Sequence, residues 1–285
     1  MDITISPRGK WVLRVLLTLF VAFLYAPLLL LVVFSFNDND LPVFPLRGFT
    51  TQAYEQFIAN PALRDAVLTS AKVAVVASIV SVVLGLLAAI ALVRKSFAGK
   101  AAVTALLLSP LVIPYIVFAI ALLILFVQID KLPGIALPQS MWTLTIGHVV
   151  ILLPYVILVL MPRLERIDER LEEAAYDLGA STFRTFRSIT LPLIWPALLS
   201  AFLISLVFSF DEIILASFIA GDATTFPLYL FSQLRFPSLL PQVIAVAVIV
   251  FAVSMVIIVA TEVGRRVLER RLNIELSPEP TTVAE

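Results

Sequence analysis

Two adjacent carboxylates, Asp211 and Glu212, lie inside the apolar run LVFSFDEIILASF, residues 206–218. An ionised acid near the middle of a bilayer helix costs about 2.5–3.5 kcal/mol even on the most lenient scale. Acids inside an apolar span therefore indicate a functional position, such as a contact with a cationic solute or a proton site. The alternative is that both acids lie at the outer water interface or pair with a basic residue of a partner subunit.

If the run is one continuous helix, the two acids lie on different faces of it. Counted from Leu193, Asp211 lies about 27 Å along such a helix, towards its outer end, and successive residues are about 100° apart. Asp211 then shares a face with Phe208, which suits an organic cation through Coulomb and cation–π attraction. Glu212 shares a small polar face with Ser209, which suits close helix packing. We expect a substrate pathway, with Asp211 as its main contact, that includes Phe208, Ser209, Asp211 and Glu212.

The composition places the chain in the membrane-protein class. Hydrophobic residues make up 61% of its 285 residues and charged residues only 14%, whereas a soluble domain carries about 25% charged residues. A net charge of zero argues against nucleic acid as a partner. With no Cys and a single His, His148, the chain has neither a Cys-based metal site nor a His cluster. We expect His148 to be a hydrogen-bonded interfacial residue near the outer end of the fourth span rather than a ligand, and we expect no metal site and no catalytic set.

Six apolar segments are long enough to cross a bilayer, which takes about 20 residues as a helix. They lack the period-two alternation of barrel strands. We therefore predict an all-α integral membrane protein with six transmembrane helices, in which residues 1–285 form a single transmembrane domain. Prolines inside these segments, Pro27, Pro110, Pro114 and Pro154, are expected to kink the helices without breaking them. The predicted spans are residues 12–36, 67–93, 101–127, 141–162, 193–220 and 241–264.

Lysine and arginine concentrate at one set of span ends, which the positive-inside rule identifies as the cytoplasmic side. Fifteen of the 20 basic residues lie there, so both termini are predicted to be cytoplasmic. The polar, proline-containing tail 273–285 is expected to be disordered. The fifteen residues are Arg8, Lys10, Arg14, Arg94, Lys95, Lys100, Arg163, Arg166, Arg170, Arg184, Arg187, Arg265, Arg266, Arg270 and Arg271.

The predicted cytoplasmic segment 163–192 differs from the rest of the chain because it is rich in charge. Apolar residues recur at three- and four-residue spacing from Leu164 to Leu178, which predicts one helix of about four turns. Gly179 follows as a helix-ending residue, and Ser181 can cap a second short helix. The segment is therefore predicted to be a helix–turn–helix projection. It could lie on anionic lipid as an amphipathic hairpin, but acidic residues near the turn favour a protein partner.

Seven residues of this segment match the EAA motif, E-A-A-x3-G-x9-I-x-L-P, at every defined position. Through them the sequence resembles the membrane-spanning permease subunits of binding-protein-dependent type I ABC importers. In that family the motif forms the coupling helix, which inserts into a groove on the ATPase subunit and transmits nucleotide-driven closure to the membrane helices. The resemblance covers nearly the whole chain in span number, orientation and loop placement. The matching residues are Glu173, Ala174, Ala175, Gly179, Ile189, Leu191 and Pro192.

The residue types suit this role. Ala174 and Ala175 let a second protein approach the helix closely, and Glu173 offers a charge to an Arg or to backbone amides. Gly179 permits the positive φ of a turn, and Pro192 is expected to end the projection at the membrane boundary.

The sequence has no G-x-x-x-x-G-K-[ST] loop, so it lacks the P-loop that binds ATP. The resemblance implies that a partner ATPase dimer binds ATP and Mg, and that this chain is a non-catalytic subunit without a cofactor of its own. It also implies a homologous second permease, expected to be a different chain in a heterodimer, and a periplasmic binding protein. The complex would lie in the lipid of the bacterial cytoplasmic (inner) membrane.

Three further stretches, SFDEIILASFIAG, FPLYLFSQLRF and LSPLVIPYIVFAIALLILF, resemble the second of two permease subunits in the spermidine/putrescine branch. In that branch an acid at this point of span five faces the translocation path and meets the cationic amine, and Asp211 and Glu212 occupy the matching positions. The expected function is thus to form half of a polyamine pathway. The alternatives are an importer for an opine, γ-aminobutyrate, a similar amino compound or an anionic solute, or an ion-gradient-driven transporter with a proton site at either acid.

Overall fold

The chain folds as helices joined by short turns. Every regular element is helical within the described residues, apart from an isolated bridge between Asn37 and Phe49. The predicted all-α fold is therefore confirmed. The computed structural model describes residues 6–39, 41–233 and 239–275.

Twelve α-helices are labelled in chain order among these residues. They are α1 (Pro7–Ser35), α2 (Gln52–Ala59), α3 (Pro61–Arg94), α4 (Lys100–Leu108), α5 (Tyr115–Asp130), α6 (Met141–Glu165), α7 (Glu169–Asp177), α8 (Thr182–Thr185), α9 (Leu191–Phe210), α10 (Ile214–Ile219), α11 (Phe226–Gln233) and α12 (Leu240–Glu275). A 3₁₀ turn, Ser109–Leu111, follows α4, and a π-helical turn, Phe186–Thr190, joins α8 to α9.

Four of the described helical segments are long and apolar enough to cross a bilayer. They overlap the predicted first, second, fourth and fifth spans. The predicted sixth span, 241–264, lies within α12, which includes the apolar stretch Leu240–Val256. A total of six crossings and the cytoplasmic location of both termini stay predictions. The four segments are Arg8–Ser35, Pro61–Arg94, Met141–Glu165 and Thr182–Phe210.

The predicted third span is broken, so the expectation of simple kinks at Pro110 and Pro114 is wrong. The 3₁₀ turn ends the first helical stretch, α5 begins at Tyr115 directly after Pro114, and the two stretches meet at 106°. Proline lacks an N–H and disfavours helical backbone at the residue before it, so two prolines four residues apart interrupt the helix. By contrast, the prolines inside α1 and α6 leave those helices continuous, as predicted.

The chain divides into two compact units, Met1–Arg64 with Leu230–Val253 and Asp65–Tyr229 with Ser254–Glu285. In the first unit, the Ser35 hydroxyl at the end of α1 lies 2.7 Å from the Tyr54 hydroxyl of α2. The apolar window of α1 has no buried side chain. A helix that is apolar on every side and unburied suits contact with lipid or with another chain.

The second unit is organised around α6, which contributes to two apolar clusters. One joins α3, α5, α6 and α10 through residues such as Leu122, Leu152 and Leu215. The other joins α3, α6 and α9, with Ile194 of α9 fully buried in it. Packing between α3 and α6 is close, because a Cβ on Gly85 would lie 2.5 Å from a methyl carbon of Val156.

The first residues of the tail predicted to be disordered, 273–275, belong to α12 instead. The rest of that tail, residues 276–285, lies outside the described part of the chain.

Candidate functional site

The carboxylate pair lies at a break in the predicted fifth span. α9 ends at Phe210 with Asp211 as its C-cap, and α10 begins at Ile214. The expectation of one helix over 193–220 is therefore wrong, and the angle of about 100° between the two acids does not apply. The cause is local, because Glu212 offers its side chain to the backbone N–H groups that open the next helix.

Glu212 forms an N-terminal cap for α10. Its Oε1 accepts hydrogen bonds from the N–H groups of Ile214 and Leu215 at 2.8 and 3.0 Å. Its Oε2 accepts from the N–H groups of Leu215 and Ala216 at 2.8 and 3.3 Å. The side chain is buried, and the positive end of the helix dipole favours a carboxylate here. Both oxygens of Glu212 are thus engaged in holding the break.

Behind the break lies a polar contact that the sequence did not indicate. The Nδ1 of His148 is 2.6 Å from the Ser209 hydroxyl, and its Nε2 is 3.7 Å from Oε2 of Glu212. Serine, histidine and acid also meet in hydrolases, but there the imidazole uses Nε2 for serine and Nδ1 for the acid. His148 and Ser209 are only 1% and 2% exposed, so no substrate reaches the hydroxyl. This contact joins α6 to α9. The predicted hydrogen bonding of His148 is confirmed, and its position at the membrane interface stays a prediction.

A cavity of about 450 Å³ borders the break. The Tyr115 hydroxyl, at the start of α5, lies 3.0 Å from the Tyr155 hydroxyl of α6. The Tyr155 ring stacks on Phe208 of α9 with centroids 4.9 Å apart and an interplanar angle of 22°. The cavity is lined by Tyr115, Ile151, Leu152, Tyr155, Val207, Phe208, Asp211, Glu212, Ile213 and Ile214.

The charge of this cavity is negative. Asp211 and Glu212 are its charged lining residues, and no Lys or Arg lies among the described ones. The oxygens of Glu212 are taken by the backbone, whereas Asp211 is exposed and its carboxylate has no side-chain partner in the described structure. One available carboxylate beside three aromatic rings can bind an organic cation through Coulomb and cation–π attraction.

Three of the four predicted pathway residues, Phe208, Asp211 and Glu212, line one cavity. Ser209 is turned away from the cavity towards His148. Sequence reasoning missed Tyr115 and Tyr155 because they lie on other helices. Each is a tyrosine within an apolar run, and this could have indicated them, since a buried tyrosine hydroxyl needs a hydrogen-bond partner.

The charged segment 163–192 contains two short helices around a glycine turn. α6 continues to Glu165, and α7 begins after Asp168, whose carboxylate accepts from the Arg170 N–H at 3.1 Å. The expected single helix of four turns is therefore wrong: it is interrupted between α6 and α7, where the buried Ile167 packs into the cluster of α3, α6 and α9.

The predicted turn is confirmed. Gly179 has φ of +82°, and nothing lies within 4 Å of the Cβ it lacks, so the backbone alone requires glycine here. The N–H of Ala180 bonds to the Ala175 carbonyl at 2.9 Å, which closes α7. The Ser181 hydroxyl caps α8 by accepting from the Arg184 N–H at 3.3 Å.

Pro192 does not end the projection, contrary to expectation. The helical segment Thr182–Phe210 is continuous and passes through the π-helical turn directly before Pro192. Proline has no N–H for the fourth preceding carbonyl, and a widened turn accommodates that loss within one helix.

The motif residues occupy two positions in this arrangement. Glu173 and Ala174 are exposed on α7, and Ala175 is half-buried beside them. Ile189 and Leu191 are half-buried at the start of the long helix, where Pro192 is exposed. Around the turn, apolar side chains that would normally be buried are exposed; they are Leu171, Tyr176, Leu178 and Phe183, at 49%, 44%, 89% and 72%.

Comparison with known proteins identifies the family. A family model described as the inner membrane component of binding-protein-dependent transport systems matches residues 81–274. The putrescine transport system permease protein PotI of Escherichia coli K12 is 36% identical over 268 residues, which cover 93% of this chain and 94% of the relative. The spermidine/putrescine transport system permease protein PotC of Haemophilus influenzae is 37% identical over 246 residues, covering 86% and 93%.

A solved structure has the same fold. A chain of a bacterial ABC transporter involved in the import of the acidic polysaccharide alginate superposes with a TM-score of 0.68 at 18% identity, over 91% of this chain and 98% of that one. The resemblance stated from the EAA motif is thus confirmed. The chain belongs to the inner membrane components of binding-protein-dependent transport systems, and it is a permease subunit of an ABC importer.

Proposed function

We propose that this subunit forms half of the membrane pathway for polyamines, which are organic cations of the putrescine and spermidine type. One observation carries the proposal: a chain 36% identical to a putrescine permease along 93% of its length has, at its broken fifth segment, a cavity with an available carboxylate and aromatic walls. The second subunit would be a homologous permease, here a different chain, and a periplasmic binding protein would deliver the solute.

Asp211 is the residue proposed to meet the ammonium group. Its carboxylate supplies the charge, and the rings of Phe208, Tyr155 and Tyr115 supply surfaces over which an ammonium group can pass. Glu212 belongs to the same pathway as a lining residue whose oxygens are held by the backbone. Ser209 does not line the cavity; its hydroxyl bonds to His148 and so helps to hold α9 against α6.

The segment 163–192 is proposed to dock on a partner ATPase, which would bind the ATP and Mg that this chain has no P-loop to bind. Exposed apolar side chains grouped on one projection mark a surface for a protein partner. Glu173 offers that partner an unengaged carboxylate, and the exposed Ala174 permits close approach.

The six predicted spans, with both termini cytoplasmic, complete the proposal. The distribution of the 20 basic residues supports this orientation, since fifteen lie at one set of span ends. In this orientation the docking segment faces the cytoplasm. The carboxylate cavity lies towards the periplasmic end of the span, where a binding protein delivers its solute.

Two alternative cargoes are less well supported. An anionic solute would require a basic group, and none lines the described cavity. A zwitterionic amino compound would place its own carboxylate beside Asp211, which is unfavourable without such a basic group.

The test is reconstitution of the complete transporter with its own binding protein in proteoliposomes. Putrescine or spermidine added with the binding protein should stimulate both ATP hydrolysis and solute uptake. γ-Aminobutyrate and a diol of the same length as putrescine are the matched controls, because each changes the charge at one or both ends. Stimulation by γ-aminobutyrate alone would replace the polyamine proposal with an amino-acid one.

A further inference from the structure

Arg94, the last residue of α3, connects three segments of the second unit. Its Nη1 donates to Oε1 of Glu169 at 2.9 Å. Its Nη2 donates at 3.4 Å both to Oε1 of Glu172 and to the backbone oxygen of Ile167. The Arg94 side chain is only 12% exposed. The guanidinium therefore ties the end of α3 to α7 and to the turn before it.

Glu172 extends the connection to the long helix that contains α9. Its Oε1 also accepts a hydrogen bond from the Thr190 hydroxyl at 2.7 Å. Thr190 is buried and ends the π-helical turn that leads into α9. A continuous polar path thus runs from Arg94 through Glu172 to Thr190, across three helical segments.

These contacts hold a helix with little apolar packing of its own. None of the residues of α7 is buried, so apolar packing does not fix it. Surface ion pairs contribute little, and Glu169, at 64% exposure, belongs to that class. Arg94 and Glu172, at 12% and 18%, are shielded from water, and breaking a shielded pair has a larger effect.

We propose that Arg94 and Glu172 act as a clamp that transmits displacement of α7 to α3 and α9. The proposal rests on the function proposed above for segment 163–192. The exposed Glu173 meets the partner, while its neighbour Glu172 faces inward. Displacement of α7 then moves Thr190, and the continuous helix from Thr182 carries this movement to Asp211 at its far end. Arg94 is a positioning residue, which acts on the cavity through these helices.

The experiment compares transport with ATP hydrolysis in the same proteoliposomes containing the complete transporter. In Arg94→Ala, solute imported per ATP should fall by about tenfold, within the range for residues of a coupling network, while ATP hydrolysis changes by less than about twofold. Arg94→Lys should retain part of the coupling, because it keeps the charge but loses the forked donor geometry. Lys95→Ala removes the same charge from the exposed neighbouring position and should behave as wild type.

A charge exchange keeps the proposal testable if Arg94→Ala assembles poorly. Arg94→Glu and Glu172→Arg should each lower transport per ATP, and the double variant should recover a substantial part of it. Unchanged coupling in Arg94→Ala, or a double variant no better than the single ones, would overturn the clamp. Unchanged coupling in Glu173→Ala would instead contradict the docking role of the segment, so the two proposals fail separately.

Discussion

At the scale of single residues, the chain uses two pairs of adjacent acids in the same way. In each pair one carboxylate is engaged by the fold and the other is left available. Glu212 caps α10 while Asp211 opens to the cavity. Glu172 binds Arg94 and Thr190 while Glu173 stays exposed. A buried carboxylate needs several donors to offset its lost hydration, so the inner acid of each pair is fixed in place.

Loss of the available acid should weaken transport without weakening the fold. In Asp211→Asn, polyamine uptake at limiting concentration should fall by roughly tenfold to a hundredfold, the usual range for a hydrogen bond to a charged group. Labelled putrescine uptake measures this. Asp211→Glu should retain part of the activity. Asp222→Asn, at an exposed position outside the cavity lining, is the control and should transport normally. Normal uptake by Asp211→Asn would remove Asp211 from the pathway.

Loss of the engaged acid, Glu212, should by contrast lower the stability of the fold. Glu212→Ala leaves the N–H groups of Ile214, Leu215 and Ala216 without their acceptor. We expect the free energy of unfolding to fall by about 1–3 kcal/mol, which thermal unfolding of the purified complex measures as a lower melting temperature. Glu212→Gln keeps one acceptor oxygen and should lose less. Asp211→Ala should melt close to wild type, and an unshifted Glu212→Ala would contradict the capping role.

At the scale of elements, two of the predicted spans are interrupted where function is proposed. The third breaks at a pair of prolines, and α5 then begins with the cavity residue Tyr115. The fifth breaks where Glu212 takes the N–H groups of the next helix. Irregular backbone within a membrane protein is tolerated where it lines a cavity or is buried in protein. Both breaks border the same cavity, which is consistent with that rule.

The glycine turn of segment 163–192 gives a prediction with a matched control. Gly179→Ala forces an alanine to φ near +82°, which costs about 1–2 kcal/mol, although its Cβ would meet nothing within 4 Å. We expect α7 and α8 to change their relative direction, so that transport per ATP falls. Gly134→Ala meets the same backbone requirement, at φ of +81°, outside the segment and should leave coupling intact.

A second substitution at Gly179 tests whether the backbone conformation causes the loss of transport per ATP. Gly179→Asn should recover part of the coupling, because asparagine tolerates this backbone region better than alanine does. If Gly179→Ala and Gly134→Ala reduce transport per ATP equally, the effect is one of general stability and the turn has no special role in coupling.

At the scale of the whole molecule, this subunit is proposed to provide a pathway and a docking surface, while a separate ATPase supplies the energy. The family match supports this division, because its members are components of binding-protein-dependent systems. The engaged Glu212 also makes a poor proton carrier, since both of its oxygens already accept backbone hydrogen bonds. The proposal of an ATP-driven importer therefore predicts which energy source uptake requires.

Uptake by the complete transporter should depend on ATP and not on a proton gradient. In proteoliposomes that supply ATP to the ATPase side, a protonophore should leave polyamine uptake nearly unchanged, whereas an inactive ATPase subunit should abolish it. A gradient-driven transporter reconstituted in parallel is the control, and its uptake should collapse with the protonophore. The reverse pattern would support the ion-gradient mechanism.

The sequence by itself determined the helical membrane fold, the positions of its apolar segments and the family. These follow from local information: hydropathy over about 20 residues measures the fit to a bilayer, and the EAA spacing is contained within one segment. The turn at Gly179 was predictable for the same reason, since a glycine after an apolar stripe is a local signal.

Only the tertiary structure decided how the acids are used. Periodicity treats 193–220 as one helix, whereas a carboxylate that reaches the following N–H groups ends the helix at Asp211. Tyr115 and Tyr155, which line the cavity with Asp211, come from α5 and α6, and Arg94 reaches Glu172 across 78 positions of sequence. Contacts between distant segments depend on how helices pack against one another. A sequence therefore shows which residues need partners, and the packed structure selects those partners.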